Sequence, residues 1–383
     1  MYRLNEQQQD IVNKAAAIAD EVIAKHASEV DAAGQFPAQA IAALGEAGLM
    51  GLTIPTEFGG LGQGLGTAAA VIDQIAQRDA SAAMVYLMHL CGVSCYVANP
   101  AVAGEQLNAA AAGKHLSTLA WSERGSRSHF WAPVSKAEPA DGGVKLSAEK
   151  SWVTSAGHAD GYVVSTQTTT AAVPTEIALY MVLKGDDGVT VDGPWESLGM
   201  RGNASAPMKL HDAYVAADRA VCEPGKGFDF MLGVVLPWFQ LGNAAVSVGV
   251  SEAAVQATTA HLTGKGFQHL GTKLSDLPNL RARLATMRIE TDKARAHLAK
   301  AIEAAESGAP TAMLMVLESK VSASETALEV TDLAMRACGG AAFSKHLSVE
   351  RNFRDARAMS VMAPTSDVLH EFIGRALCGM ELF

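Results

Sequence analysis

The side chains best suited to moving protons lie near the end of the chain, in residues 361–372 (VMAPTSDVLHEF). Asp367 is the nearest carboxylate to Ala363, one helical turn further on, and His370 is the nearest imidazole. Carboxylates and imidazoles are the usual groups of general acid–base catalysis. A third candidate, His89, lies in the apolar run MVYLMHLCGV. Asp367 and His89 also have structural interpretations, because an acidic residue complements the dipole of a first helical turn and a histidine in an apolar helix commonly packs in a core.

The elements that must position these residues begin with a helical region. Residues 7–34 (QQQDIVNKAAAIADEVIAKHASEVDAAG) repeat apolar side chains at helical spacings and end in glycine. Residues 37–51 (PAQAIAALGEAGLMG) begin with proline and end with glycine, as helices favour. After a glycine-rich stretch, a long apolar helix is predicted from about Thr67 to Tyr96. The sequence therefore predicts an all-helical domain over residues 1–115.

A middle region of different texture follows. Residues 161–168 (GYVVSTQT), 177–184 (IALYMVLK) and 208–215 (MKLHDAYV) read as strands, and turns rich in Asp and Gly separate such runs. We therefore expect a β-domain, a barrel or a sandwich, over residues 116–222.

The helical period then returns for the rest of the chain. Long amphipathic segments at 229–263, 276–307, 311–337 and 364–379 predict an up-and-down four-helix bundle over residues 223–383. The whole chain is expected to be an α+β protein.

Composition excludes several classes of function. Lys and Arg number 30 against 40 Asp and Glu, a formal net charge of −10, and no stretch concentrates basic residues, which argues against nucleic-acid binding. The polar start MYRLNEQQQD lacks the core of a signal peptide, and no uninterrupted apolar run reaches the ~18 residues of a membrane span. Five cysteines without metal-type clustering fit reduced thiols, although Cys91 and Cys95 form a CxxxC pair. A cytoplasmic protein with no metal is expected.

Five short segments carry a family resemblance, in the family's own order. They are PTEFGGLG at 55–62, AWSERGSRSH at 120–129, KSWVTSAGHADGYVV at 150–164, LGMRGNAS at 198–205 and the stretch from ACGG to APTSDV at 337–368. Together with the order of helical domain, β-domain and helical bundle, they resemble the acyl-CoA dehydrogenase superfamily of flavoproteins. The resemblance covers nearly the whole chain and implies an FAD-dependent oxidoreductase.

The resemblance also implies which residues hold FAD. Trp152 is expected to flank the flavin ring, and Thr154 to bond near its N5 atom. Ser122 matches the flavin-bonding threonine of the family, and the backbone of Trp121 is expected to approach the ring. Ser128 matches the serine that reaches the flavin phosphate. An aromatic face and a nearby hydroxyl are what a flat ring with a polar edge requires.

Other matches point to a cofactor shared between subunits. In this family a Gly-Gly pair contacts the FAD of a neighbouring subunit, and Gly339 and Gly340 match that pair. A homodimer or homotetramer is therefore expected. Thr365 keeps the threonine of the family's Tyr-Glu-Gly-Thr motif and is counted among the cofactor-binding residues. Arg124 and Arg127 stand where the family pattern has other residues. They are either ligands of a phosphate group or solvated residues of the loop.

The largest departure concerns the catalytic base. Most family members remove the α-proton of an acyl thioester with the Glu of Tyr-Glu-Gly-Thr, where this chain has Ala363 in MAPT. Others carry that Glu in a Leu-x-x-Glu-Arg pattern, where this chain has Phe239 and Gln240. Neither usual position holds a carboxylate.

Three interpretations remain open at this point. The favoured one is oxygenase-like chemistry with reduced flavin and O2 on an acyl-CoA or other thioester, with His89 and His370 assisting. In the second, the chain is an acyl-CoA α,β-dehydrogenase whose base is another group, such as Asp367. In the third, it is a flavoprotein that binds acyl-CoA without redox chemistry.

Overall fold

The computed structural model describes residues 2–127 and 129–382, and it begins with a helical region. The α-helices of this region are α1 Glu6–Ile18, α2 Ala24–Ala33, α3 Ala38–Glu46, α4 Leu65–Ala76, α5 Ala80–Ala98 and α6 Pro100–Ala111. A π-helical turn, Ala19–Ile23, joins α1 to α2, and Gly34 ends α2 at a φ of +63°. Glycine adopts that left-handed conformation without a side-chain clash, as the sequence predicted for this helix end.

The long apolar helix predicted from about Thr67 to Tyr96 is in fact two helices. Residues 77–79 separate α4 from α5, and Asp79 caps α5 by accepting hydrogen bonds from the backbone N–H groups of Ser81 and Ala82. An aspartate side chain competes for backbone hydrogen bonds inside a helix and favours its first position. The apolar pattern continues on both sides of this break and so hides it.

Two helical stretches, Ala80–Ala98 and Gly227–Gly264, are long and apolar enough to cross a membrane by length and composition. Neither is an uninterrupted apolar run, since polar residues such as His89 and Asn243 lie within them. Inside the protein, 94% of the most apolar 18 residues of α5 are buried, and 67% of the most apolar 18 residues of the second stretch. Burial in the core accounts for their apolar composition, because a helix that is enclosed on most sides is apolar on most of its faces.

The middle region consists of two small sheets. Its strands are β1 Ser117–Ala120, β2 Glu138–Ala140, β3 Gly143–Val153, β4 Gly161–Gln167, β5 Ile177–Leu183, β6 Val189–Val191 and β7 Ala206–Ala216. One sheet has the order β1-β4-β5, with β1 and β4 parallel, and the other the antiparallel order β2-β3-β7-β6. Within the described residues the sheets contact each other but do not close into a barrel. The predicted β-domain is confirmed, and its barrel form is not.

Helices return after the sheets. They are α7 Gly227–Phe230, α8 Leu236–Gly264, α9 Pro278–Glu306, α10 Ala312–Cys338, α11 Gly340–Phe343, α12 Val349–Val361 and α13 Ser366–Leu377, with a short hairpin, β8 Gly266–Phe267 and β9 Thr272–Lys273, between α8 and α9. The long helices α8, α9 and α10 pack against one another, and α12 and α13 pack on α10. The predicted bundle is confirmed, with α12 as a separate helix before the last one.

Helix α5 connects the three regions. A side chain at Gly92 would lie 2.2 Å from the Ser117 Oγ atom of β1, and a side chain at Gly242 of α8 would lie 2.2 Å from Leu87 Cδ1 of α5. Glycine at these positions allows α5 to approach both the first sheet and the bundle. The residues around α5, β1 and α8 therefore form one continuous core.

Candidate functional site

The end of β3 presents an exposed tryptophan. Trp152 has a φ of +59°, its side chain is 68% exposed, and its ring meets the edge of Trp195 at 5.7 Å between centroids. A register shift between Lys150 and Val153 in the pairing of β3 with β7 turns the strand at this point. A positive φ is unusual for a bulky residue, and such strain is commonly kept where it serves a site.

Thr154 follows the strand and points the other way. Its side chain is buried, and its hydroxyl lies 3.0 Å from the Ser205 hydroxyl. The sequence predicted Trp152 and Thr154 on one face of a strand. The strand ends at Val153 and its pairing is irregular there, so Trp152 is exposed and Thr154 is buried. The two side chains still lie at one corner of the sheet.

Trp121 and Ser122 lie beside that corner. The backbone carbonyl of Ser122 accepts a hydrogen bond from Ser151 N–H at 2.9 Å, which brings the segment after β1 alongside the residue before Trp152. Trp121 is buried and stacks on Phe130 with 5.7 Å between ring centroids. Two segments that are separate in sequence therefore meet at this corner, and their contact with a cofactor stays a prediction.

A buried ion pair, which the sequence interpretation missed, holds these two segments together. Lys150 Nζ lies 2.6 Å from Glu123 Oε1, and both side chains are buried. Glu123 also accepts hydrogen bonds from the backbone N–H groups of Val134 and Ser135. Burial alone would raise the pKa of Glu123, but Lys150 and these hydrogen bonds lower it. The sequence signal for this pair was the glutamate in AWSERGSRSH and the lysine that begins KSWVTSAGHADGYVV.

The loop that follows Glu123 carries the predicted phosphate contacts. Ser128 lies outside the described residues. Arg124 and Arg127 are exposed, and Arg127 has a φ of +51°. Their positions fit either of the two interpretations made from the sequence.

Gly339 and Gly340 join α10 to α11. Gly339 has φ +58° and ψ −136°, a conformation that is essentially restricted to glycine. A side chain at either position would meet no described atom within 4 Å, so this backbone is open on the surface of the single chain. Phe343, at the end of the same short helix, is 87% exposed. The junction is free to approach another molecule, as the predicted shared cofactor requires.

The segment around Ala363 is held from α10 and α8. Lys320 Nζ donates hydrogen bonds to the backbone carbonyls of Met362 at 2.7 Å and Pro364 at 2.5 Å. Lys320 is fully buried, and burial lowers its pKa to about 7. From α8, Asn243 Nδ2 lies 3.4 Å from Met362 Sδ. The backbone on both sides of Ala363 is therefore fixed by a buried lysine, which sequence spacing did not indicate.

Thr365 caps the last helix. Its hydroxyl oxygen accepts a hydrogen bond from the backbone N–H of Val368 at 3.3 Å, so it begins α13. Thr365 therefore has a structural role as a helix cap, and its role in holding the cofactor stays a prediction.

The three predicted proton-moving groups lie in different surroundings. Asp367 is exposed in the first turn of α13, and the exposed His370 lies 2.8 Å from Glu325 Oε1. His89 is fully buried, its Nε2–H donates to the Met50 carbonyl at 2.9 Å, and its Nδ1 accepts from Ser117 N–H at 3.1 Å. Burial lowers the pKa of His89 to about 4, against the opposing effect of the Met50 hydrogen bond. Asp367 and His89 have the surroundings that their structural interpretations predict, and a catalytic role for any of the three groups stays a prediction.

An apolar cavity lies against Pro364. It has a volume of about 60 Å³ and is lined by Phe130, Trp131, Leu232, Leu236, Met313, Leu317, Pro364, Phe372 and Leu382. The cysteine pair lies elsewhere, buried in α5, and burial raises the pKa of both Cys91 and Cys95. In residues 2–127 and 129–382, no group of three or more His, Cys, Asp or Glu side chains could hold a metal ion.

Comparison with known sequences identifies the family. Sequence models of the acyl-CoA dehydrogenase N-terminal, middle and C-terminal domains match residues 5–114, 118–213 and 225–378, in that order. The chain belongs to the acyl-CoA dehydrogenase family. It is thereby an FAD-dependent oxidoreductase that acts on acyl-CoA, as the resemblance of its motifs implied.

Individual relatives of the chain share its full length. It is 29% identical to the probable acyl-CoA dehydrogenase FadE25 of Mycobacterium tuberculosis, over 98% of this chain and 97% of that protein. It is 26% identical to the 3-sulfinopropanoyl-CoA desulfinase of Paraburkholderia xenovorans, over 100% and 98%. Among solved structures, butyryl-CoA dehydrogenase from Megasphaera elsdenii superposes with a TM-score of 0.93 at 23% identity, over 99% and 100% of the two chains. That structural likeness shows the fold.

The residues at the corner of the sheet fit FAD, the cofactor of this family. Trp152 offers an exposed indole for a flat ring, and Trp121 Nε1 is a buried donor that has no partner among the described residues. Thr154 and Ser122 provide hydroxyl groups beside them. A flat ring with hydrogen-bonding edges would use both the exposed aromatic face and the unpartnered donor of Trp121.

Proposed function

We propose that this protein is an FAD-dependent enzyme of acyl-CoA thioesters whose chemistry is oxygenase-like and needs no carboxylate at the position of Ala363. One observation carries the proposal: Asp367 is exposed to solvent, the exposed His370 is paired with Glu325, and His89 is enclosed in the core with both ring nitrogens hydrogen-bonded.

The reasoning rests on what dehydrogenation requires. Removal of an α-proton from an acyl thioester needs a base within hydrogen-bond reach of that proton. An alanine side chain cannot accept a proton, and Phe239 occupies the other family position. A reaction without α-proton removal makes no such demand.

The cofactor and the chain have separate tasks in this proposal. Bound FAD supplies hydride acceptance or, once reduced, reaction with O2. Trp152, Thr154, Trp121 and Ser122 bind and orient the ring. The apolar cavity beside Pro364 excludes water from the acyl group, and Lys320 keeps the neighbouring backbone in place.

A second candidate function is a non-redox elimination on an acyl-CoA. The relative named 3-sulfinopropanoyl-CoA desulfinase supports it, since that name describes a reaction other than dehydrogenation and the relative matches the whole chain. The same absence of a carboxylate at Ala363 is compatible with this candidate.

Anaerobic mixing separates the candidates. FAD-loaded protein is mixed with saturated acyl-CoAs without oxygen, and separately supplied with a reductant and O2. Bleaching of the flavin absorbance by an acyl-CoA alone would identify a dehydrogenase and contradict the proposal. Product formation that requires both reduced flavin and O2 is the expected result, whereas turnover that needs neither would favour the elimination.

Substitution of Asp367 tests the remaining alternative. We expect Asp367→Asn to change turnover less than about twofold, because the side chain is exposed in a helix turn. Removal of a true general base typically costs 10²-fold or more. Glu371→Gln, which removes another exposed carboxylate of the same helix, is the matched control, and a selective collapse of turnover in Asp367→Asn would establish Asp367 as the base.

A further inference from the structure

Two buried amide side chains of α8 are left without hydrogen-bond partners. Gln240 and Asn243 are fully buried, and within the described residues neither polar atom of the Gln240 amide has a partner. The Asn243 Oδ1 atom also lacks one. Buried polar atoms are almost always hydrogen-bonded, because each unsatisfied one costs about 1–3 kcal/mol.

Helical spacing places both amides on the face of α8 that Asn243 turns towards the segment around Ala363. Leu236, Gln240 and Asn243 follow one another at helical spacings of four and three residues and so share one face of α8. Leu236 lines the apolar cavity together with Pro364, and Asn243 lies 3.4 Å from the Met362 sulfur. Gln240 lies between these two contacts, so the face changes from apolar to polar along the helix.

The unused hydrogen-bonding capacity is neutral and of both kinds. Gln240 offers two N–H donors and a carbonyl acceptor, and Asn243 Oδ1 is a second acceptor. A neutral group that both donates and accepts would satisfy them. A carboxylate buried there would also need a cation to offset its charge, whereas a neutral group needs hydrogen bonds alone.

We propose that Gln240 and Asn243 form the inner end of the acyl subsite and select an acyl thioester whose acyl group carries a neutral hydrogen-bonding group, such as a hydroxyl. This inference rests on the proposed function in that it takes an acyl-CoA as the substrate. The apolar cavity then holds the carbon chain, and the two amides bond its polar substituent.

Binding to the FAD-loaded protein tests the proposal. Short acyl-CoAs are compared in matched pairs, in which a hydroxyl replaces a methyl group, with dicarboxylic acyl-CoAs of similar length as a third arm. Dissociation constants are measured by calorimetry and by the change in flavin absorbance. We expect the preferred hydroxyl member to bind about tenfold more tightly than its methyl partner, as one or two buried hydrogen bonds allow.

Three variants make the test specific. Asn243→Leu and Gln240→Leu should each weaken or abolish the preference for the hydroxyl member. They should also raise the melting temperature of the ligand-free protein, because an apolar side chain removes the unsatisfied atoms. Gln256→Leu, on the same helix but bonded to Gln77 at the surface, is the matched control and should keep the preference.

Several outcomes would overturn the inference. Equal binding of both members in every pair, preference for the dicarboxylic arm, or unchanged selectivity in both leucine variants each reject it while leaving the proposed function intact. If flavin is bound but no thioester of any kind binds, the proposed function fails together with it.

Discussion

Asp355 is a buried carboxyl group in α12 that responds to pH. Its Oδ1 accepts a hydrogen bond from the backbone N–H of Met200 at 2.6 Å. Burial raises the pKa of Asp355 to about 7, against the opposing effects of the Met200 N–H group and Arg351, and Asp79 adds to the rise. The group therefore binds its proton more tightly in the folded protein than in the unfolded chain.

A stability measurement follows from this shift. Because the folded pKa lies above the unfolded value of about 3.9, the contribution of Asp355 to the free energy of unfolding is fully present below pH ~4 and is lost as the pH rises towards 7. Asp355→Asn keeps the acceptor for Met200 but cannot ionise. We expect the variant to gain stability over the wild type between pH 4 and 7, by roughly 1.4 kcal/mol per unit of pKa shift at most.

Urea unfolding across pH 4 to 8 measures this difference. Asp187→Asn, at an exposed turn position outside the helices, is the control and should not reproduce the gain in stability of Asp355→Asn. A difference in the free energy of unfolding between wild type and Asp355→Asn that stays constant over this pH range would refute the raised pKa of Asp355.

At the scale of elements, the two glycines between α10 and α11 have different roles. Gly339 is required for the backbone conformation, whereas Gly340 is predicted to contact a partner. Gly339 has the glycine-specific backbone, whereas Gly340 begins α11 with open space around it. We expect Gly339→Ala to lower the free energy of unfolding by about 1–3 kcal/mol. Gly340→Ala should leave the free energy of unfolding of the monomeric chain nearly unchanged.

The same pair tests the cofactor contact across subunits. If the backbone at Gly340 approaches the FAD of a neighbour, Gly340→Ala should weaken FAD binding in fluorescence titration while leaving the fold intact by circular dichroism. The control is Gly264→Ala at the exposed end of α8, where an added side chain also meets no described atom within 4 Å. Equal FAD affinity in Gly340→Ala and in the control would remove the support for a shared site.

At the scale of the whole molecule, large apolar side chains are exposed along the last helices. Phe343, Val361 and Leu377 are each more than two-thirds exposed on the single chain. Phe343 ends the short helix that begins at Gly340, so a large exposed apolar side chain lies beside the open Gly339 junction. A second copy of this chain is the partner that the open Gly339 junction also favours.

We therefore expect a homodimer or homotetramer that depends on this surface. Phe343→Asp should shift the protein towards monomers and weaken FAD binding, because a charged group would be buried without a partner in the assembly. Multi-angle light scattering measures the mass and fluorescence titration the affinity. Val173→Asp, at a half-exposed apolar position in the middle region, is the control and should keep the assembly. A wild type that is monomeric with FAD fully bound would refute this prediction.

Much of the architecture was predictable because it depends on local patterns. Several features depend only on residues that are close in sequence. They are the helical period of residues 7–34, the proline and glycine at the ends of 37–51, and the strands at 161–168 and 177–184. The break at Asp79 escaped prediction because the apolar pattern runs through it, and helix capping depends on one side chain.

The sequence by itself determined the family, the order of the three regions and the absence of a carboxylate at Ala363, since these depend on residue types and their order. Only the tertiary structure decided which groups meet: Lys150 with Glu123, Lys320 with the carbonyls around Ala363, and Gln240 with no described partner. It also enclosed His89 in the core and left Asp367 in solvent. Burial and pairing set the protonation and availability of a side chain, and both arise from contacts between residues far apart in sequence, which local spacing does not encode.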